Sequence, residues 1–199
     1  MKKEKTIDTH IIDGAIRLAT KAHEGVVRKG GDKPYIVHPM EAMVIVSTMT
    51  DDQEVMAAAA LHDVVEDSDV TLDDIRRELG ERVASLVHAE TDSEVPGLSH
   101  IESWQHRKQT TIDRLAAASH DVQIVALGDK LSNIRAMYKD YRQVGDRLWQ
   151  RFNEKNVDRH AWYYQQLVKS LEALSDTDAY REFAYLVEQV FPQSKNASL

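Results

Sequence analysis

The sequence contains no cysteine. That absence excludes disulfides, thiolate catalysis and Cys-built zinc sites together. It also lacks any run approaching the roughly 18 apolar residues that a membrane-spanning helix needs. The charged N-terminal stretch Met1 to Thr6 is followed by no apolar segment of the kind a secretory leader carries. Positive charge is in the minority: 25 Lys and Arg stand against 33 Asp and Glu, for a formal net charge of −8. Such a chain is a poor general binder of nucleic acid or anionic membrane, although a local basic pocket for a small anion stays open to it. No segment alternates apolar and polar residues as a half-buried strand does, and no internal repeat is present. These absences lead to the expectation of a cytoplasmic protein that engages neither nucleic acid nor membrane, with homo-oligomerisation left open.

What is present is helical periodicity. Ile11, Ile12, Ala15, Ile16, Leu18, Ala19 and Ala22 form an apolar stripe over Ile7 to His23, with Gly25 as a stop. Tyr35-Ile36-Val37 reads as a short extended link after Pro34. His38-Pro39 opens a helix that continues over Met40 to Met49, and Asp51-Asp52 caps a third that runs into Leu61. Thr71 caps Leu72 to Leu79, and Glu81 to Glu90 follows Gly80. Thr91 to Ser99 is the longest loop, before helices over Ile101 to Ala118 and Val122 to Tyr141. Gly145 marks a turn, and two late helices are expected over roughly Trp149 to Leu174 and Thr177 to Val190, the last stopped by Pro192. A chain of 199 residues fits one domain, which can bury roughly 70% of its unfolded surface. The expectation is therefore an all-α, single-domain helical bundle over residues 1–192, with residues 193–199 a frayed tail.

The chemistry is concentrated in Leu61-His62-Asp63-Val64-Val65-Glu66-Asp67, entered from the apolar run Val55 to Ala60. Buried ionisable groups are costly unless paired or bound to a metal. Helical continuation would put Glu66 four residues after His62, and Asp67 four after Asp63. His38 before a helix and Asp129 inside an apolar one offer further ligands. Two imidazoles and two carboxylates make a mixed set that suits Mn²⁺, Fe²⁺ or Zn²⁺ better than Ca²⁺. With four protein ligands, an octahedral ion keeps places for water and a substrate oxygen. A lone buried His is more often a hydrogen-bonded core residue than a ligand, and Glu66 and Asp67 could be a solvated helix end. An adjacent His-Asp after an Ala-rich helix is much harder to explain as packing.

His38, His62-Asp63 and Asp129 resemble, in order and spacing, the H…HD…D metal motif of the HD superfamily of phosphohydrolases. More narrowly, Arg28 to Pro39 is similar to the R-K-x-G-x-P-Y-I-x-H-P stretch of the hydrolase domain of RelA/SpoT-type proteins. Leu61 to Asp67 resembles its L-H-D-x-x-E-D, and Gly128 to Arg135 its D-[KR]-L-x-N-x-R. The likeness runs from about residue 10 to 140. It continues weakly in Trp104 to Lys108, similar to the W-x-x-R-K of small alarmone hydrolases, and in Trp162-Tyr163-Tyr164.

The resemblance implies that His38, His62, Asp63 and Asp129 hold a Mn²⁺, with Fe²⁺ or Zn²⁺ ranked behind it. It implies that Glu66 and Asp67 handle the attacking water, that Arg28 packs on a guanine base and that Asn133 lies near the nucleotide sugar. The implied reaction removes pyrophosphate from the 3′ position of ppGpp or pppGpp to give GDP or GTP. A flat guanidinium can stack on a base where Lys cannot, and Lys29, Lys33, Lys130, Arg107 and Lys108 could offset phosphate charge. Two features depart from the pattern. The Arg28-to-His38 loop is one residue longer than the shortest family form, and Val87 to Thr91 matches the family's valine-threonine segment only loosely. No synthetase or regulatory domain is recognisable, so a hydrolase alone is expected. The alternatives are an HD phosphohydrolase for another nucleotide such as NADPH, and a non-catalytic nucleotide-binding regulator.

Overall fold

The structure is a computed structural model that describes residues 7–28, 32–91, 97, 99 and 102–192. Helix α1 spans His10–Ala22, α2 Val37–Val46, α3 Gln53–Leu61, α4 Val64–Asp67, α5 Leu72–Leu79 and α6 Glu81–Glu90. They are followed by α7 Trp104–Ala116, α8 His120–Val144, α9 Val157–Ser170 and α10 Asp178–Val190, with 3₁₀ turns at Gly145–Arg151 and Glu172–Leu174. Among the described residues there is no strand, only an isolated antiparallel bridge between Val27 and Pro34. None of the described helices is long and apolar enough to cross a membrane. The expected tail, 193–199, and most of the expected 91–99 loop lie outside the described residues.

Side-chain caps set many of the helix starts. Asp52 accepts from the Glu54 N–H, Ser119 from Val122, Asn156 from Asp158 and Thr177 from Tyr180. Thr71 and Asp74 form a reciprocal capping box. Two expectations are corrected. Trp149 to Leu174 is not one helix. Gly145, at φ 57°, turns the chain into a 3₁₀ segment through Arg151, and a new helix starts only where Asn156 caps it. Nor is Tyr35-Ile36-Val37 an extended link: Tyr35 and Ile36 form a turn and Val37 begins α2. The turn is closed by the Val37 N–H on Pro34 O (3.3 Å) and the His38 N–H on Tyr35 O (2.9 Å), and the Val27–Pro34 bridge before it by the Arg28 N–H on Lys33 O (2.9 Å) and the Tyr35 N–H on Val26 O (2.8 Å).

Helix α3 passes through the middle of the bundle, against α1, α2, α6 and α8. Ala57 to Ala60 are all fully buried, so their small side chains let neighbours approach from every side. Helix α8 packs across α2, with Leu127, Leu131 and Ile134 fully buried. Each such side chain contributes about 1.5–3 kcal/mol through burial. Gly128 permits the closest approach of these two helices. A Cβ there would stand 2.7 Å from Val46 Cγ2 and 2.9 Å from the Ala42 carbonyl oxygen. That contact brings the residues after Gly128 alongside the start of α2.

Candidate metal centre

His38 sits in the first turn of α2, His62 and Asp63 directly follow α3, and Asp129 lies in the middle of α8. The helix does not continue unbroken through His62 and Asp63. It turns there and restarts as α4, although both residues keep right-handed helical backbone angles. The four side chains converge. His62 Nε2 is 3.2 Å from His38 Nε2. Asp129 Oδ1 lies 3.1 Å from His38 Nε2 and 3.5 Å from His62 Nε2. Asp63 Oδ2 lies 2.9 Å from His62 Nε2 and 3.6 Å from His38 Nε2. His38, His62 and Asp129 are buried, and the Asp63 side chain, 23% exposed, is the most open of the four. One donor atom each from His38, His62 and Asp129 falls within a 4.8 Å spread, the spacing of a possible metal-binding group.

The far nitrogens decide what the near ones present. His62 Nδ1 faces the Ala59 carbonyl oxygen at 2.8 Å, an acceptor only, so it must carry a hydrogen. His38 Nδ1 lies 2.8 Å from Ser132 Oγ. The single Ser132 hydroxyl hydrogen goes to Glu41 Oε2 at 2.7 Å, so Ser132 accepts from His38 and Nδ1 again carries the hydrogen. In the neutral rings both Nε2 atoms therefore turn lone pairs toward each other and toward two carboxylates. That arrangement is repulsive unless a cation sits among them or one ring takes a proton. The charges around His62 express the same demand. Burial works against its charged form, but the Asp63 and Asp129 carboxylates override burial and hold it well above the ordinary imidazole value. Asp129 is held well below the usual carboxylate range by Lys130 and His62, against its burial. A nitrogen-and-oxygen donor set with deprotonated atoms facing inward fits a divalent transition metal.

The other expected residues lie around this centre. Both Asp129 oxygens are engaged, one by the Lys130 ammonium and Oδ1 by Asn133 Nδ2 at 2.5 Å. Arg28 Nη2 donates to Asn133 Oδ1 at 2.6 Å, so the expected base-stacking and sugar residues are joined to the candidate ligand Asp129. Lys29 lies outside the described residues, and Lys33 is exposed. Arg107 and Lys108 are half-buried on α7, with the Lys108 ammonium 5.2 Å from the centroid of the Tyr163 ring. Glu66 and Asp67 fall on α4, both exposed. Partial burial and the Asp63 charge nonetheless push the Asp67 carboxyl up.

Sequence reasoning missed four residues. The Tyr35 hydroxyl donates to Asp63 Oδ2 at 2.5 Å and also acts on Asp67, which joins a candidate ligand to one of the two candidate acids. Glu41 and Ser132 set the His38 tautomer. Each stands three residues after a candidate ligand, His38 and Asp129, and so on that residue's helix face, a spacing that could have flagged them. Glu90, buried near Lys130 and Arg114, is the fourth.

Comparison with known proteins identifies the family. The family model described as HD domain matches residues 15–156. The GTP pyrophosphokinase of Streptomyces coelicolor is 32% identical over 138 residues, which covers 68% of this chain and 16% of that protein. The guanosine-3′,5′-bis(diphosphate) 3′-pyrophosphohydrolase of Aquifex aeolicus is 32% identical over 127 residues, 64% of this chain and 18% of that one. The chain thus spans less than a fifth of the length of these two relatives. A solved structure of a metazoan ortholog of SpoT, described as hydrolysing ppGpp, superposes with a TM-score of 0.74 at 25% identity and covers 93% of this chain and 97% of its own. With the family model spanning all of α2, α3, α4 and α8, on or beside which the four converging side chains sit, the chain belongs to the HD domain family.

Proposed function

We propose that this chain is a metal-dependent phosphohydrolase of the cytoplasm that removes the 3′ pyrophosphate of ppGpp or pppGpp and releases GDP or GTP. The observation that carries the reading is the convergence of His38, His62, Asp63 and Asp129, with Arg28 and Asn133 tied to Asp129 at its edge. The names of the Aquifex and metazoan relatives support the substrate. His38, His62, Asp63 and Asp129 would hold the metal, and Mn²⁺ is the ion we assign. Bound there, such an ion supplies Lewis acidity that stabilises charge on a phosphoryl oxygen and acidifies water.

The chain's own groups do the rest. Water attacks the phosphorus bonded to the ribose 3′ oxygen, that P–O bond breaks, and the 3′ oxygen leaves and takes a proton. Glu66 or Asp67 accepts the proton that the water loses. Asp67 suits the task because its carboxyl is pushed up, toward the working pH of a general base. Tyr35 keeps the Asp63 carboxylate aligned with it. Arg28 offers a planar guanidinium to the guanine, Asn133 an amide to the sugar, and Lys29 and Lys130 positive charge to the phosphates.

The test is incubation of Mn²⁺-loaded protein with ppGpp, followed by chromatography. GDP and pyrophosphate are expected. Intact ppGpp would sink the reading, and turnover of NADPH in a panel of 2′- and 3′-phosphorylated nucleotides would redirect it.

A further inference from the structure

Hydrogen bonds run without a gap from His38 to the C-terminal helix. His38 Nδ1 donates to Ser132 Oγ (2.8 Å), and Ser132 donates to Glu41 Oε2 (2.7 Å). Glu41 Oε1 accepts from Arg135 Nη1 at 3.2 Å. Arg135 then grips Glu182 with both arms of its fork, Nε to Oε1 at 2.7 Å and Nη2 to Oε2 at 2.5 Å. Glu182 lies on α10, which begins beyond residue 156, the end of the HD domain match.

We propose that Glu41, Ser132, Arg135 and Glu182 form a positioning relay that holds His38 in the tautomer able to ligate, so that the hold on the metal depends on α10. The inference rests on the metal centre proposed above. Its chemistry lies in the single hydrogen of Ser132. While the Glu41 carboxylate takes that hydrogen, Ser132 can only accept from His38, and the Nε2 lone pair faces the metal. If Glu41 lost its carboxylate, the hydroxyl would be free to turn and donate to Nδ1. The ring hydrogen would then move to Nε2 and block the ligand. Arg135 keeps Glu41 from swinging away, and the bidentate grip on Glu182 keeps Arg135 in place. Ser132 is fully buried, whereas the Glu41, Arg135 and Glu182 side chains are 34%, 36% and 41% exposed. The effect should therefore weaken along the line as solvent screens each step.

Glu41→Gln is the sharpest variant, because it keeps the side chain's shape while its amide can donate to Ser132. Calorimetry with Mn²⁺ on the metal-free full chain should show binding weakened by about 10- to 100-fold, the usual effect of losing such a partner. Ring ¹⁵N shifts of metal-free protein should show His38 leaving the Nδ1–H form. Glu182→Gln should weaken binding by about two- to fivefold. That loss should vanish when Glu41→Gln is already present, because the two act through one path.

The proposal is overturned if Glu41→Gln keeps both wild-type affinity and the Nδ1–H ring, or if Glu182→Gln weakens binding equally in both backgrounds. Absence of Mn²⁺ binding by the wild type overturns both this proposal and the metal centre. Because no nucleotide enters these measurements, a wild type that binds Mn²⁺ but leaves ppGpp intact would count against the hydrolase reading and not against the relay.

Discussion

Arg82 and the His38–His62 pair each gather carboxylates from distant parts of the chain. Arg82 draws Asp52 at 2.8 Å, Glu54 at 2.6 Å and Asp121 at 2.8 Å, with every partner between 33% and 42% exposed. Those anions have a resident guanidinium and water to finish the compensation, so the cluster is complete as it stands. Around His38 and His62, two carboxylates meet two imidazole nitrogens in a buried space, and the adjacent Lys130 ammonium is already committed to the outer oxygen of Asp129. Similar groups produce a surface tie in one place and a buried, inward-facing donor set in the other. The difference is burial combined with the direction of the lone pairs. A buried set of inward-facing donors specifies something that the polypeptide does not itself supply.

Removing a ligand should break that contrast most severely. In His62→Ala or Asp63→Ala, Mn²⁺ affinity is expected to fall by more than about 100-fold, and turnover should vanish with it. Elemental analysis beside rate measurements checks this. A slow His62→Ala protein with full metal content would contradict the ligand assignment.

Next come the acids on α4. Glu66→Gln and Asp67→Asn should keep the metal and lose about 10²- to 10⁴-fold in kcat. Because the Asp67 carboxyl is pushed up by burial and by the Asp63 charge, wild-type kcat should decline as the pH falls through its raised value. That acidic limb should disappear in Asp67→Asn if Asp67, rather than Glu66, is the base.

A smaller effect is expected at Glu90, whose carboxyl is pushed up to about 7 by burial, with Lys130 and Arg114 opposing. A carboxyl raised in the folded state binds its proton more tightly there than in the unfolded chain. Its contribution is therefore favourable below the ordinary glutamate value and is lost as the pH rises through about 7. Glu90→Gln should accordingly raise thermal stability at pH 8, by about 1–3 kcal/mol, and leave it nearly unchanged at pH 4. An equal gain at both values would show that Glu90 is not held protonated.

The least effect belongs to the surface tie. Arg82→Met should cost about 1 kcal/mol of stability, less at high salt, with Mn²⁺ affinity unaltered. A large loss of metal on this change would erase the distinction between the two clusters.

The sequence made the proposed ligands stand out because each is chemically out of place. Asp129 interrupts an apolar helix face, and His62-Asp63 ends a run of alanines that proves to be fully buried. The caps at Asp52 and Thr71 were legible because their side-chain oxygens act within a few residues of sequence. The turn at Gly145 was legible too, but the 3₁₀ segment through Arg151 was not, since Leu148 and Trp149 are buried and read as the apolar face of the helix that follows. Tyr35 was passed over as a link because its partner, Asp63, lies 28 residues away. Glu41 and Ser132 meet only because Gly128 lets α2 and α8 approach closely, a tertiary fact that no local pattern contains.

The most direct measurement is anomalous scattering from crystals soaked in Mn²⁺, collected across the manganese edge. One strong peak is expected among His38 Nε2, His62 Nε2, Asp63 Oδ2 and Asp129 Oδ1. A peak located elsewhere, or crystals that bind no manganese at that point, would contradict the shared site on which the proposed hydrolysis depends.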